Sequence, residues 1–168
     1  MKNIIQNGDP VLRDMAKKVP IGDIKSPKIK KLLKNMSEAL NLQKNGVAIA
    51  APQIGVSLRV FIVSGKLFNP EENTEDFIRP NRVFINPIIT KTSKKESAEE
   101  EGCLSVHGEY GTVNRPTKTT IRAYNEDGEI FERGGSGLLS KIFQHEMDHL
   151  NGVLFVDKAD NLYDIKQN

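Results

Sequence analysis

Leu138-Leu139-Ser140-Lys141-Ile142-Phe143-Gln144-His145-Glu146-Met147-Asp148-His149-Leu150 is the stretch on which the reading of the fold turns. Its pattern predicts the last strong helix of the chain. Gly134-Gly135-Ser136-Gly137 is expected to break a preceding strand and open that helix, and Asn151-Gly152 to stop it. Residues four apart on a helix share one face, about a turn apart, so His145 and His149 can both reach one ion. Glu146, next to the first, can accept a proton from metal-bound water. The chain holds only three His and one Cys, and two of those His meet in this helix.

Working back from that helix, Lys118 to Tyr124 and Glu129 to Arg133 flank Asn125-Glu126-Asp127-Gly128 and predict a hairpin. Leu58-Arg59-Val60-Phe61-Ile62-Val63 reads as a strand, as does Val83-Phe84-Ile85-Asn86, with Pro87 weakening its continuation. Between them, Gly65 to Asn81 holds Asn69-Pro70, an acidic cluster and Arg79-Pro80, which predicts a surface excursion. Ser26-Pro27 supplies an N-cap and first-turn proline to an early helix. Ile29, Leu32, Leu33, Met36 and Leu40 give that helix its apolar stripe, and Asn45-Gly46 its expected stop. Its other face carries Lys28, Lys30, Lys31 and Lys34, read as a solvated face, with RNA contact the sharper alternative. Short, mostly antiparallel strands around a C-terminal His-Glu-x-x-His helix indicate an α+β fold. The last dozen residues receive no assignment.

At 168 residues the chain suits one domain, 1-168, able to bury about two-thirds of its unfolded surface. A formal net charge of +2 gives no ground for binding DNA. The single Cys excludes an internal disulfide and fits a reducing compartment. No long apolar run follows Met1-Lys2-Asn3-Ile4, so no signal peptide is expected. Nothing approaches the roughly 20 apolar residues that span a bilayer. The expectation is a cytoplasmic protein without a membrane partner, or an organellar one if a cleaved presequence is missing.

A catalytic ion usually takes three protein ligands and keeps one position open. No third His follows His149, and Asp157 and Asp160 are the carboxylates to weigh downstream. Cys103, in Glu101-Gly102-Cys103-Leu104-Ser105-Val106, is the stronger candidate: a glycine precedes it and a carboxylate stands nearby. A zinc endopeptidase shares His-Glu-x-x-His but draws its third ligand from downstream and leaves the Cys103 stretch unexplained. A catalytically silent, metal-stabilised binding protein would have no need of Gln53, Cys103 and Glu146 together.

Three segments resemble the peptide deformylase family: Gly46-Val47-Ala48-Ile49-Ala50-Ala51-Pro52-Gln53-Ile54-Gly55, Glu101 to Ser105, and Gln144 to His149. They stand in the family's order and at family-like separations. The resemblance implies that Cys103, His145 and His149 are metal ligands and Glu146 the acid/base. It also implies that Gln53 and the backbone N–H of Leu104 face the formyl oxygen. It implies one divalent ion per chain, ferrous iron in the cell, with zinc, nickel or cobalt able to occupy the site. The implied activity is removal of the formyl group from the initiator methionine of N-formyl-Met nascent peptides, releasing formate, with transient ribosome contact.

Helical spacing adds Ile142 and Leu138, three and seven residues before His145, as an apolar wall for a methionine side chain. Val47, Ala48 and Ile49 of the first motif join them as substrate-binding positions, and Lys141 stands at the pocket mouth. The family usually has glycine at the Ala48 position, so the extra methyl is expected to narrow the groove. His107 lies outside the motif and is expected to be a loop residue.

Overall fold

The computed structural model describes residues 3–68 and 80–164. Among the described residues, eight strands form two antiparallel sheets with two α-helices between and around them. The larger sheet has the order β1-β2-β3-β6-β7 and is built from Ala48–Ala50, Val60–Val63, Arg82–Thr92, Lys118–Tyr124 and Ile130–Ser136. The smaller has the order β4-β5-β8, built from Glu96–Cys103, Val106–Pro116 and Asp160–Asp164.

Both faces of the β1-β2-β3 region are covered, which is why Val60–Val63 is buried throughout. Side chains alternate across a strand. Ala48, Ala50, Phe61, Val63 and Phe84 therefore face α2 (Leu138–Leu150), while Ile49, Val60, Ile62 and Ile85 face α1 (Pro27–Asn41). Phe61 and Phe84 stack at 4.6 Å, and Phe143 of α2 meets Phe84 edge-on at 5.3 Å. A third cluster, with Leu12, Val106, Val113, Leu154 and Phe155, underlies the small sheet.

Ser26 caps α1 by accepting from the Ile29 N–H, with Pro27 in its first turn. The helix ends at Asn41, before the expected stop at Asn45-Gly46. Gly46 serves close packing instead: a Cβ there would sit 2.8 Å from Gln43 Cβ and 2.9 Å from Leu40 Cδ1. The third strand runs on past Pro87 to Thr92, with a register irregularity between Ile85 and Ile88 and a left-handed Asn86 (φ 51°). That bulge absorbs the proline. Asn86 Oδ1 accepts from Val19 N and its Nδ2 donates to Val19 O, which fixes the kink.

The 118–124/130–136 hairpin forms as expected. Gly134-Gly135-Ser136 does not break its second strand, however; all three pair with β6 and only Gly137 opens α2. Gly135 is needed for approach, since a Cβ would meet Leu139 Cγ at 2.9 Å and Phe143 Cε2 at 3.1 Å. A 3-10 turn at Phe155–Asp157 leads into the last dozen residues, unassigned from sequence, of which Asp160–Asp164 forms the edge strand β8 and 165–168 lie outside the described residues. Of the Gly65–Asn81 excursion, Asn69-Pro70, the acidic cluster and Arg79 lie outside the described residues. Its base is closed by a Gly65 N–H bond to Asn81 Oδ1.

Candidate metal centre

Helix α2 is wedged between the two sheets, and this gives it two buried faces. Ile142, Phe143, Met147 and Leu150 pack on the large sheet. The opposite face, with His145, Asp148 and His149, meets the β4–β5 hairpin. Gln144 locks the wedge by donating to Pro116 O at 2.9 Å, and Ser140 Oγ reaches the same carbonyl at 2.9 Å.

Cys103 ends β4, with Leu104-Ser105 forming the hairpin tip. The hairpin brings its thiol to the helix: Cys103 Sγ lies 3.2 Å from His149 Nε2. Ligand atoms of Cys103, His145 and His149 all fall within 4.8 Å of one another. A tetrahedral Cys/His ion spaces its ligand atoms roughly 3.5 Å apart, so the group needs only a small contraction to hold one. His145 Nδ1 lies 3.0 Å from Glu101 Oε2, leaving Nε2 as the nitrogen to offer a metal. The donor set of one soft thiolate and two imidazoles suits zinc, iron or nickel.

Charge is organised behind these ligands. Burial alone would raise Glu101, but hydrogen bonds from His145 and Arg115 hold it down to about 2. Arg115 grips both its oxygens at 2.5 and 2.9 Å and also donates to Asp148 Oδ2 at 2.9 Å. Glu146 lacks such support. It is 4 % exposed, its Oε2 has no hydrogen-bond partner, and burial pushes it up to about 7.

Gln53 stands in a 3-10 turn at Ala51–Ile54, buried beside the thiol. Its Oε1 accepts from the Ala50 N–H at 2.8 Å, which fixes the amide orientation. Nε2 then points at Ser105 Oγ (3.1 Å) and Cys103 Sγ (3.6 Å). The sulfur contact is weak, so a better acceptor can replace it.

A cleft of about 570 Å³ opens onto this centre. Val47, Ala48, Gln53, Leu104, Leu138, Ile142, His145 and Glu146 line it, as does Lys141, whose Nζ donates to Glu100 O. Leu138 is half exposed and Ile142 buried, so the wall runs from the rim to the floor. Ile49 is not part of that wall. It is fully buried in the α1 core, because strand alternation turns it away from its neighbour Ala48. His107 lines the cleft from β5 and not from a loop, outside the Cys/His/His cluster.

The supporting residues Arg115 and Asp148 are absent from the sequence-based site. Asp148 carries a usable signal, three residues after His145 and so on the same helix face. Glu101 carries another, two residues before Cys103 on the same strand face. Arg115 carries none; in the folded hairpin it stands opposite Ser97, four residues from Glu101, and its long side chain spans the gap.

The sequence model of the family described as polypeptide deformylase matches residues 1–164. The peptide deformylase of Carboxydothermus hydrogenoformans is 45% identical over 159 residues, covering 95% of this chain and 93% of that protein. The crystal structure of peptide deformylase from Thermotoga maritima superposes with a TM-score of 0.82 at 34% identity, covering 95% of this chain and 98% of that one. A class I type b peptide deformylase from Acinetobacter baumannii, crystallised with Met-Ala-Ser, gives 0.81 at 33% identity and covers 94% and 98%.

Proposed function

The chain belongs to the peptide deformylase family, and from that premise we propose how its own residues divide the work. It is a hydrolase that removes the N-formyl group from the initiator methionine of newly made proteins, releasing formate. Cys103, His145 and His149 hold one divalent ion, iron(II) in the cell, with zinc, nickel or cobalt as substitutes. When bound, such an ion supplies Lewis acidity and lowers the pKa of a coordinated water to near 7.

Glu146 Oε2 takes the remaining proton of the attacking water and then delivers it to the departing amine nitrogen. Burial, which raises the Glu146 carboxyl, favours its holding a proton between the two transfers. Gln53 Nε2 and the Leu104 N–H donate to the formyl oxygen as negative charge builds on it, one such donor being worth about 10²–10³ in rate. Leu138, Ile142 and Val47 receive the methionine side chain, and Ala48 flanks the peptide backbone. The observation that carries this reading is the partnerless, buried Glu146 Oε2 in the cleft beside three convergent ligand atoms.

Residues 1-168 act as one catalytic domain in the cytoplasm. The exposed Lys28, Lys30, Lys31 and Lys34 face of α1 makes a transient contact with the ribosome. Salt-sensitive co-sedimentation with ribosomes, lost on reversing those charges, is the result expected of that contact.

Formate release from formyl-Met-Ala-Ser by anaerobically purified, iron-loaded protein tests the chemistry. The acetyl counterpart is expected to react far more slowly, because its methyl would crowd the approach to Gln53 and the Leu104 N–H and its carbonyl carbon is less electrophilic. Equal rates would sink this assignment of the site.

A further inference from the structure

Behind the metal centre the charges form a row that ends at the surface. His145 Nδ1 meets Glu101 Oε2 at 3.0 Å, Arg115 grips both Glu101 oxygens, and Arg115 Nη1 donates to Asp148 Oδ2 at 2.9 Å. The last member is Lys158, whose Nζ donates to Asp148 Oδ1 at 2.6 Å. The side chains of Glu101, Arg115 and Asp148 are 2%, 4% and 13% exposed, that of Lys158 44%. Glu101, Arg115 and Asp148 alone carry a net charge of −1, and Lys158 brings the row to zero.

The contact is not one of a loose side chain on a loose tail. Lys158 follows the Phe155–Asp157 turn, where Asp157 accepts from Arg13 Nη1 at 2.5 Å and from the Leu154 N–H at 2.8 Å.

We infer that Lys158 is a positioning residue that sets the donor strength of His145, by occupying Asp148 so that Arg115 stays committed to Glu101. The inference rests on Cys103, His145 and His149 being the ligands. Without the ammonium, Asp148 is answered by Arg115 alone and draws its positive charge away from Glu101. Glu101 then accepts more strongly from the His145 Nδ1–H, and the ring becomes a better donor at Nε2. The row also gains a net negative charge, which favours a cation. Both effects tighten metal binding, whereas simple loosening of the turn would weaken it.

The test is Co²⁺ titration of the metal-stripped full chain, followed by thiolate-to-cobalt absorption and the ligand-field bands, with melting temperature on the same samples. Lys158→Met is expected to bind cobalt about two- to ten-fold more tightly at low salt, with shifted ligand-field bands. Lys158→Arg should match the unsubstituted protein. If Lys158→Met fails to fold, Lys158→Gln carries the same expectation. Weaker binding with unshifted bands would reduce Lys158 to a brace, and unchanged binding would remove it from the site; either overturns the inference. Absence of a thiolate band in the unsubstituted protein would sink the ligand assignment itself, and this inference with it.

Discussion

At the scale of single residues, Glu146 separates a catalyst from a merely metal-stabilised protein. Glu146→Gln keeps shape and polarity and replaces none of the three proposed ligands. It should retain metal and melting temperature yet lose formate release by about 10²–10⁴. Loss of metal in that variant would make Glu146 a ligand. The same group predicts a pH effect in metal-stripped protein. Burial raises Glu146 from 4.5 to about 7, so between those values the unfolded chain sheds a proton that the folded one keeps. Stability therefore falls as pH rises through that window, and the penalty is complete above it. Metal-stripped Glu146→Gln should accordingly melt several degrees above the parent at pH 8, and the gap should close near pH 4.5; a gap independent of pH would exclude this origin. Cys103→Ala should lose metal and activity together while the fold persists, whereas His107→Ala should keep its metal, both read by metal analysis. The ligand candidates were legible in the sequence because helix spacing and scarce residue types are local properties. The carboxylate–guanidinium support behind them was not, since Arg115, paired opposite Ser97, reaches Glu101 only with its side chain once the hairpin has folded.

Between elements, two glycines do work that local sequence disguises. Gly134-Gly135 looks like a strand breaker, but β7 passes through it because α2 lies directly against the backbone there. Gly135→Ala forces a methyl against Leu139 and Phe143 and should cost about 1–3 kcal/mol of stability in denaturant melts. Gly102 has a more local role. A Cβ there would stand 2.6 Å from Tyr110 Cε1, inside the hairpin that presents Cys103. Gly102→Ala should therefore weaken cobalt binding more than it lowers the melting temperature, since the displaced element carries the thiol. An unaltered cobalt affinity would mean that Tyr110 swings aside without moving the strand. Pro87 teaches the converse lesson: a residue that should end a strand is accommodated once Asn86 takes a left-handed bulge held by Val19.

Across the whole molecule, the proposed metal ligands come from elements far apart in sequence: the end of β4 and the C-terminal half of α2. An ion that binds only the folded chain then stabilises it by mass action, by about 4 kcal/mol at a thousand-fold excess over its Kd. Chelation should lower the melting temperature of the parent protein clearly and that of Cys103→Ala hardly at all. Equal losses in both would show that the ion acts elsewhere. Glu101 adds an acid limit. Held at about 2, it contributes stability above its unfolded value of 4.5, and that contribution is lost as pH falls from 4.5 toward 2.

Features that depend on spacing along the chain are readable before it folds. They include α2 and its His-Glu-x-x-His face, the capped start of α1, the 118–136 hairpin, and the three motifs that carry the family resemblance. Tertiary structure decided everything that depends on which surface meets which. Ile49 is apolar and lies in the first motif, yet only the position of α1 beneath the sheet shows that it faces away from the cleft. Asp160–Asp164 forms a strand because β5 offers an edge to β8, a partner absent from its own pattern. Lys158 and Asp148 stand ten residues apart in the chain, and their meeting depends on a turn fastened by Arg13 from the other end of the molecule. Periodicity and caps are encoded within a few residues. Charge pairing and burial are set by contacts between distant segments, which exist only once the chain has closed on itself.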